Sequence, residues 1–221
     1  MNNVKVTTSK LIALANAIRN KDGGDTLNLS DIKLALSDWP GTYDVNGRLL
    51  KNWGQLIADG DITINEYGQL NTPSDRSTRF AGASLFKIKK DITSIGGGAF
   101  SECRDFKEII IPSGVQEIYA STFSNCKGLI KIIIPNNVWL IGNMAFYGCT
   151  NLTQITIPDS VSMIESAAFN FCSSLVEITI PNGVVTISNN IFEYCTSLVT
   201  IHYSGSLSGA PWRAPNATVV P

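Results

Sequence analysis

Histidine is almost missing from this chain: His202 is the single one among 221 residues. Any catalytic or metal-binding scheme that needs two histidines from one chain is thereby excluded. Charge is sparse too, at 16% of residues, and 17 basic against 18 acidic side chains leave a net charge of −1. A chain this neutral has no general electrostatic attraction for nucleic acid or an anionic membrane. No apolar run reaches the roughly 18 residues of a membrane span, and the opening Met1-Asn2-Asn3-Val4-Lys5-Val6 lacks the apolar stretch of a secretion signal. The C-x-x-C spacing of zinc sites never occurs. The chain is therefore expected to be soluble and unanchored, with no signal peptide, no membrane insertion, no nucleic-acid partner, no metal and no cofactor. What it has is apolar bulk, 44% of residues, enough for a packed core and too much for a disordered chain.

That bulk is periodic. Cys103, Cys126, Cys149, Cys172 and Cys195 stand 23 residues apart, and Phe100, Phe123, Phe146, Phe169 and Phe192 keep the same interval. Pro112, Pro135, Pro158 and Pro181 do likewise. Five aliphatic columns run in phase with them, beginning at Phe106, Ile109, Ile111, Val115 and Ile118. One unit reads F-x2-C-x2-L-x2-I-x-I-P-x2-V-x2-I-x4-F, and chance does not bring eight columns into register. The L-x-x-I-x-I portion predicts a short parallel strand with alternate residues inward. The proline after it has no N–H to give a ladder, so the strand stops. V-x-x-I predicts a second short inward segment. The A-F-x-x-C portion predicts a helical or 3₁₀-like turn, in which small Ala99, Thr122, Ala145 and Ala168 let the backbone pass closely. One coil buries too little apolar area to offset the entropy of ordering it. Stacked coils fold because each covers its neighbour.

The run from Ile157 to Cys172, with Pro158, Val161, Ile164, Ala168 and Phe169, resembles the BspA-type leucine-rich repeats of bacterial surface proteins. The resemblance spans about 83–205 and implies an α/β leucine-rich-repeat solenoid: a curved parallel sheet of short strands with little true helix in the repeats. Lys89 and Ser204 replace the proline in the first and last units, and Ile191 replaces the small residue before Phe192. Terminal coils are expected to be atypical in this way.

The flanks divide further. Residues 1–40 read as a small helical hairpin, with Ser9 and Ser30 as N-caps, Leu11, Leu14, Ala15 and Ile18 as one apolar stripe, and a break at Gly23-Gly24. Residues 41–82 read as an N-terminal cap and linker, with a short helix across Leu49, Leu50, Trp53, Leu56 and Ile57 and a strand at Asp61–Asn65. Residues 206–221 read as the opposite cap, with Trp212 as its plug. The A-x-A-I-R-x-K-x-G-G pattern at Ala15–Gly24 is similar to a module at the start of phage and prophage tail-associated proteins of gut-type bacteria. Ala210-Pro-Trp-Arg-Ala-Pro-Asn-Ala-Thr218 is similar to an ending found on repeat proteins of that background, with Arg213 where glycine is usual.

The cysteines read as buried free thiols. Equivalent positions in neighbouring coils sit about 4.8 Å apart with parallel Cα–Cβ vectors, whereas a disulfide needs converging Cβ atoms. His202 has no recognisable nucleophile context, and Gly96-Gly97-Gly98 lacks the G-K-[ST] ending of a phosphate loop. No enzymatic constellation is present. The outward columns are left as the candidate site. On the expected concave face these are Glu108, Lys131, Gln154 and Glu177 beside Ile110, Ile133, Thr156, Thr179 and His202, and Trp139, Phe171 and Tyr194 form an aromatic patch. The resemblance implies a non-catalytic protein that recognises a protein or glycan on a cell surface, bacterial-surface or secreted. The alternative is a structural or receptor-binding part of a phage tail, joined to other tail proteins through residues 1–40, with homo-oligomerisation open to it.

Overall fold

The computed structural model describes Gly41–Tyr43, Leu49–Asn52, Thr63–Ile64, Gln69–Asn71, Phe80 and residues 83–90 and 92–221. The expected helical hairpin at 1–40 lies outside the described residues. Ahead of the repeats come strands β1 (Gly41–Tyr43), β2 (Leu49–Asn52), β3 (Thr63–Ile64) and β4 (Gln69–Asn71). The repeats alternate a three-residue and a two-residue strand, beginning with β5 (Leu85–Lys87), β6 (Ser94–Ile95), β7 (Glu108–Ile110) and β8 (Glu117–Ile118). They continue with β9 (Lys131–Ile133), β10 (Leu140–Ile141), β11 (Gln154–Thr156), β12 (Met163–Ile164), β13 (Glu177–Thr179), β14 (Thr186–Ile187) and β15 (Thr200–His202). The last strand is β16 (Thr218–Val220).

The 23-residue period becomes a hydrogen-bonding register. Leu85 pairs with Glu108, Glu108 with Lys131 and Lys131 with Gln154, always in parallel and always 23 residues on. The short strands keep the same offset, Glu117 to Leu140 to Met163 to Thr186. The turn between them supplies a third ladder: Phe100, Phe123, Phe146 and Phe169 donate their N–H to the carbonyls of Thr122, Ala145, Ala168 and Ile191 in the next coil, at 2.8–3.0 Å.

No helix occurs among the described residues, which corrects the α/β expectation to a parallel β-solenoid. Within each A-F-x-x-C segment an i→i−3 bond does form, such as Cys126 N–H to the Phe123 carbonyl at 3.2 Å. It closes one 3₁₀-like turn and goes no further, because the residue two after the phenylalanine is left-handed in all five coils: Glu102, Asn125, Gly148, Phe171 and Tyr194 have φ of 57–69°. A left-handed residue ends a right-handed turn.

The first edge of the long-strand sheet is covered by a hairpin, in which β1 pairs antiparallel with both β5 and β2. Here the expected helix through Leu49 is corrected: Leu49–Asn52 is strand β2, and residues beyond it lie outside the described ones until Thr63. A short apolar run fits either period, and pairing with β1 decides it. β3 falls inside the strand expected at Asp61–Asn65 and pairs antiparallel with β4, which joins β6 in parallel.

All eight repeat columns point inward, and the five phenylalanines are fully buried. Their rings stack from coil to coil with centroids 5.4–5.7 Å apart and interplanar angles of 2–24°. Phe80, Phe86 and Phe106 cluster at one end of this stack. Trp212 closes the other, fully buried against Phe192 and Tyr203, with its indole N–H donating to the Ser208 carbonyl at 3.2 Å. Beyond it β16 adds in parallel to β15. Arg213, in place of glycine, sits at φ 62°, where a side chain costs about 1 kcal/mol, and pairs with Glu193 at 3.4 Å.

Phe146 lies mid-stack between Phe123 and Phe169. Phe146→Ala is expected to cost about 3–5 kcal/mol in urea denaturation, because the neighbouring coils are pinned by backbone bonds and cannot close the gap. A loss below about 1 kcal/mol would show that the coils collapse into the space.

Candidate functional site

The inward thiols are structural. All five cysteines are free and buried. The sulfurs of Cys126, Cys149, Cys172 and Cys195 donate to the carbonyls of Phe100, Phe123, Phe146 and Phe169 one coil earlier, at 2.9–3.2 Å. Each of these carbonyls also accepts the N–H of its own coil's cysteine, so the column is more than small apolar filler: its S–H bonds link coils through the core. Burial pushes the thiols of Cys149 and Cys172 well above the usual range, and that of Cys195 up to about 12. No group of three or more histidine, cysteine, aspartate or glutamate side chains that could hold a metal ion exists among the described residues.

Three outward surfaces remain. On the long-strand face, Ile110 is adjacent to Ile133 in register, and Glu108 to Lys131. Ile133 is 51% exposed, and Lys131, Gln154, Thr156, Glu177 and Thr179 are exposed around it. His202 and Glu177 meet at 2.6 Å between Nε2 and Oε1. A shallow cavity of about 220 Å³ runs from Thr179 and His202 past Tyr203 to Pro221.

Trp139 lies on a second surface, at the entry to β10, where its N–H donates to the Gln116 carbonyl at 2.9 Å. It is 40% exposed and, among the described residues, no ring touches it. The expected aromatic patch therefore divides. Phe171 and Tyr194 stack at 4.3 Å with planes 16° apart, while Tyr147, absent from the sequence-based set, meets Phe171 edge-on at 5.2 Å. Tyr147 occupies the column one residue after the core phenylalanine and Phe171 the column two after it. Matching equivalent positions thus could not pair them.

The turn surface is energetically unusual. Phe171 and Tyr194 have φ of 60° and 63°, where a bulky side chain is a marked outlier costing about 1–2 kcal/mol. Their stacking returns about 0.5–1.5 kcal/mol for the pair, less than the two positions cost together. Both rings are exposed, at 37% and 53%. The signal that marks this position is in the column itself: Asn125 and Gly148 are the residue types that accept left-handed backbone most readily.

Strands of constant offset around a stacked core define a parallel β-solenoid of about five turns. Residues 77–208 match the family model described as a BspA type leucine rich repeat region, in six copies, and the chain belongs to that family. The six copies correspond to the six strands β5, β7, β9, β11, β13 and β15. The chain is similar to the crystal structure of a leucine-rich repeat protein from Bacteroides ovatus, at 31% identity and TM-score 0.54, over 65% of this chain and 46% of that one. It is similar in fold to the T. pallidum leucine rich repeat protein, at 22% identity and TM-score 0.54, over 64% of this chain and 67% of that one. The chain thus spans about half the length of the Bacteroides ovatus protein. Comparison with curated proteins finds no match. No helix of the described residues is long and apolar enough to cross a membrane.

The thiols give a pH signature. A group whose pKa is raised by folding contributes fully below its unfolded value, about 8.5 for cysteine, and that contribution is lost as pH rises toward the folded value. Urea stability is therefore expected to fall from about pH 8.5 upward, by about 1.4 kcal/mol per pH unit for each buried thiol. Cys149→Ala should flatten that slope by one thiol's share, and an unchanged slope would mean that the thiol ionises freely in the folded chain.

Proposed function

We propose that this is a non-catalytic binding protein that recognises a protein or glycan on a cell surface through the outward columns of its solenoid. One observation carries the reading. The inward columns repeat almost without variation, whereas the outward column that runs Lys87, Ile110, Ile133, Thr156, Thr179, His202 changes chemistry from coil to coil on an unchanging register. A constant scaffold under a variable surface is the arrangement that recognition uses, with function placed on the surface and stability in the core. On the long-strand face the contact residues are Glu108, Ile110, Lys131, Ile133, Gln154, Thr156, Glu177, Thr179 and His202. Adjacent exposed isoleucines edged by one acid and one lysine offer a small apolar centre with a polar rim, the anatomy of a protein contact.

Replacing both isoleucines, Ile110→Asp with Ile133→Asp, is expected to weaken adhesion to whole cells by at least about tenfold. Desolvating two carboxylates costs more than the apolar contact they replace. The melting temperature should move little, since both side chains face outward. Unchanged cell binding by the folded double variant would remove the long-strand face from the reading.

A second reading, a component of a phage tail or related particle, is supported by the Ala15–Gly24 and Ala210–Thr218 segments and their similarity to tail-associated proteins. It assigns attachment to residues 1–40 and target recognition to the solenoid. Deleting 1–40 is then expected to leave the solenoid's melting transition in place and to abolish assembly into a larger particle, read as mass by light scattering. A truncated chain that unfolds outright would make that segment part of the solenoid's cap and end the division of labour.

A further inference from the structure

We propose that Tyr147, Phe171 and Tyr194 form a binding platform for a neutral, hexose-containing glycan. The inference rests on the reading of the solenoid as a binding protein, and it moves the ligand from the long strands to the turns.

Three observations converge on it. First, Phe171 and Tyr194 hold left-handed backbone where the same column elsewhere uses Asn125 and Gly148. Folding disfavours rings there, and their mutual stacking does not make up the difference. Strain of this kind is retained where a function needs the side chain. Second, the turn face changes chemistry along the array. Its first two coils carry Glu102, Arg104, Asp105 and Lys127, while the segments Phe146–Leu152, Phe169–Leu175 and Phe192–Leu198 carry one ionisable carboxylate between them, Glu193. That carboxylate is matched by Arg213 at 3.4 Å. The rest of the rim is hydroxyl and amide: Thr150, Asn151, Ser173, Ser174, Thr196. Third, the rings are not self-contained. Phe171 and Tyr194 are 16° from parallel, Tyr147 is turned 61° from Phe171, and among the described residues Phe171 is the sole ring against Tyr194. One face of Tyr194 is therefore without a ring.

These are the elements that a pyranose needs. Its C–H face is apolar and lies flat on an aromatic ring, and its equatorial hydroxyls require neutral donors and acceptors around that ring. An anionic sugar or an acidic peptide would find no uncommitted cation in these three turns, since Arg213 is engaged by Glu193.

The test uses the full chain and a panel of neutral oligosaccharides, maltoheptaose, cellohexaose and mannohexaose, titrated by calorimetry. The variant is Phe171→Asn with Tyr194→Gly, which installs the residue types that the second and third coils already use. At least one oligosaccharide is expected to bind the wild type saturably, and the variant should lose at least tenfold in affinity. Its melting temperature is expected to rise. A merely structural pair of rings would give the opposite sign, so a fall in melting temperature assigns them to packing and overturns the proposal. So does wild-type protein that binds none of the three sugars, or a variant that binds as well as the wild type. Binding to cells before and after periodate oxidation separates this inference from the one beneath it. Periodate-insensitive binding leaves a protein-binding solenoid and removes the glycan, whereas no binding to any cell removes both.

Discussion

Everything in this molecule hangs on one translational constraint: residue i of a coil hydrogen-bonds to residue i + 23 of the next, in the long strands, the short strands and the turns alike. Because the offset is constant, equivalent side chains stand one above another. A column that is apolar at one level is therefore buried at all of them. The stacked phenylalanines are the direct product, and so are the thiols, each placed within reach of the carbonyl one coil earlier. No coil is stable alone, and each is held by backbone bonds on both sides. The ends need special covers for the same reason: a β1–β2 hairpin at one edge, Trp212 and β16 at the other.

The constraint also sets a local cost. To aim its N–H groups at the next coil, each turn takes left-handed backbone at Gly98, Ser121, Met144 and Ala167 and again two residues after each core phenylalanine. Small or amide residues meet that demand at most of these positions. Buried Asn170 helps from the side, accepting the Glu193 N–H at 2.9 Å. Where the chain instead spends Phe171 and Tyr194, the fold gains little and the surface gains two rings. Stability and recognition thus draw on different columns of one repeat, and they conflict at just these turns.

Much of the architecture was legible in the sequence because the period is rigid. The inward columns, the free cysteines, the outward Ile110 and Ile133 and the plug at Trp212 all follow from counting in steps of 23. What counting could not supply was geometry between columns. Tyr147 meets Phe171 across two different columns, and Trp139, grouped with them by residue type, belongs to another surface. The thiol hydrogen bonds are invisible to a hydropathy pattern, in which cysteine is simply apolar. Leu49–Asn52 was misassigned because an apolar run of that length fits helix and strand equally until its partner, β1, is known. The left-handed turns were written in the column that holds Asn125 and Gly148, but two aromatic residues at the same position masked the pattern.

The register has one more consequence, for how such a chain changes over generations. A duplication or deletion of 23 residues anywhere between Phe100 and Phe192 leaves every ladder, ring and thiol with an equivalent neighbour, while an indel of any other length breaks them all at once. The array therefore lengthens or shortens in quanta of one coil, about 4.8 Å of reach at a time. Its two covers and its outward chemistry travel along unaltered, so the spacing between whatever binds at either end is heritable as an integer.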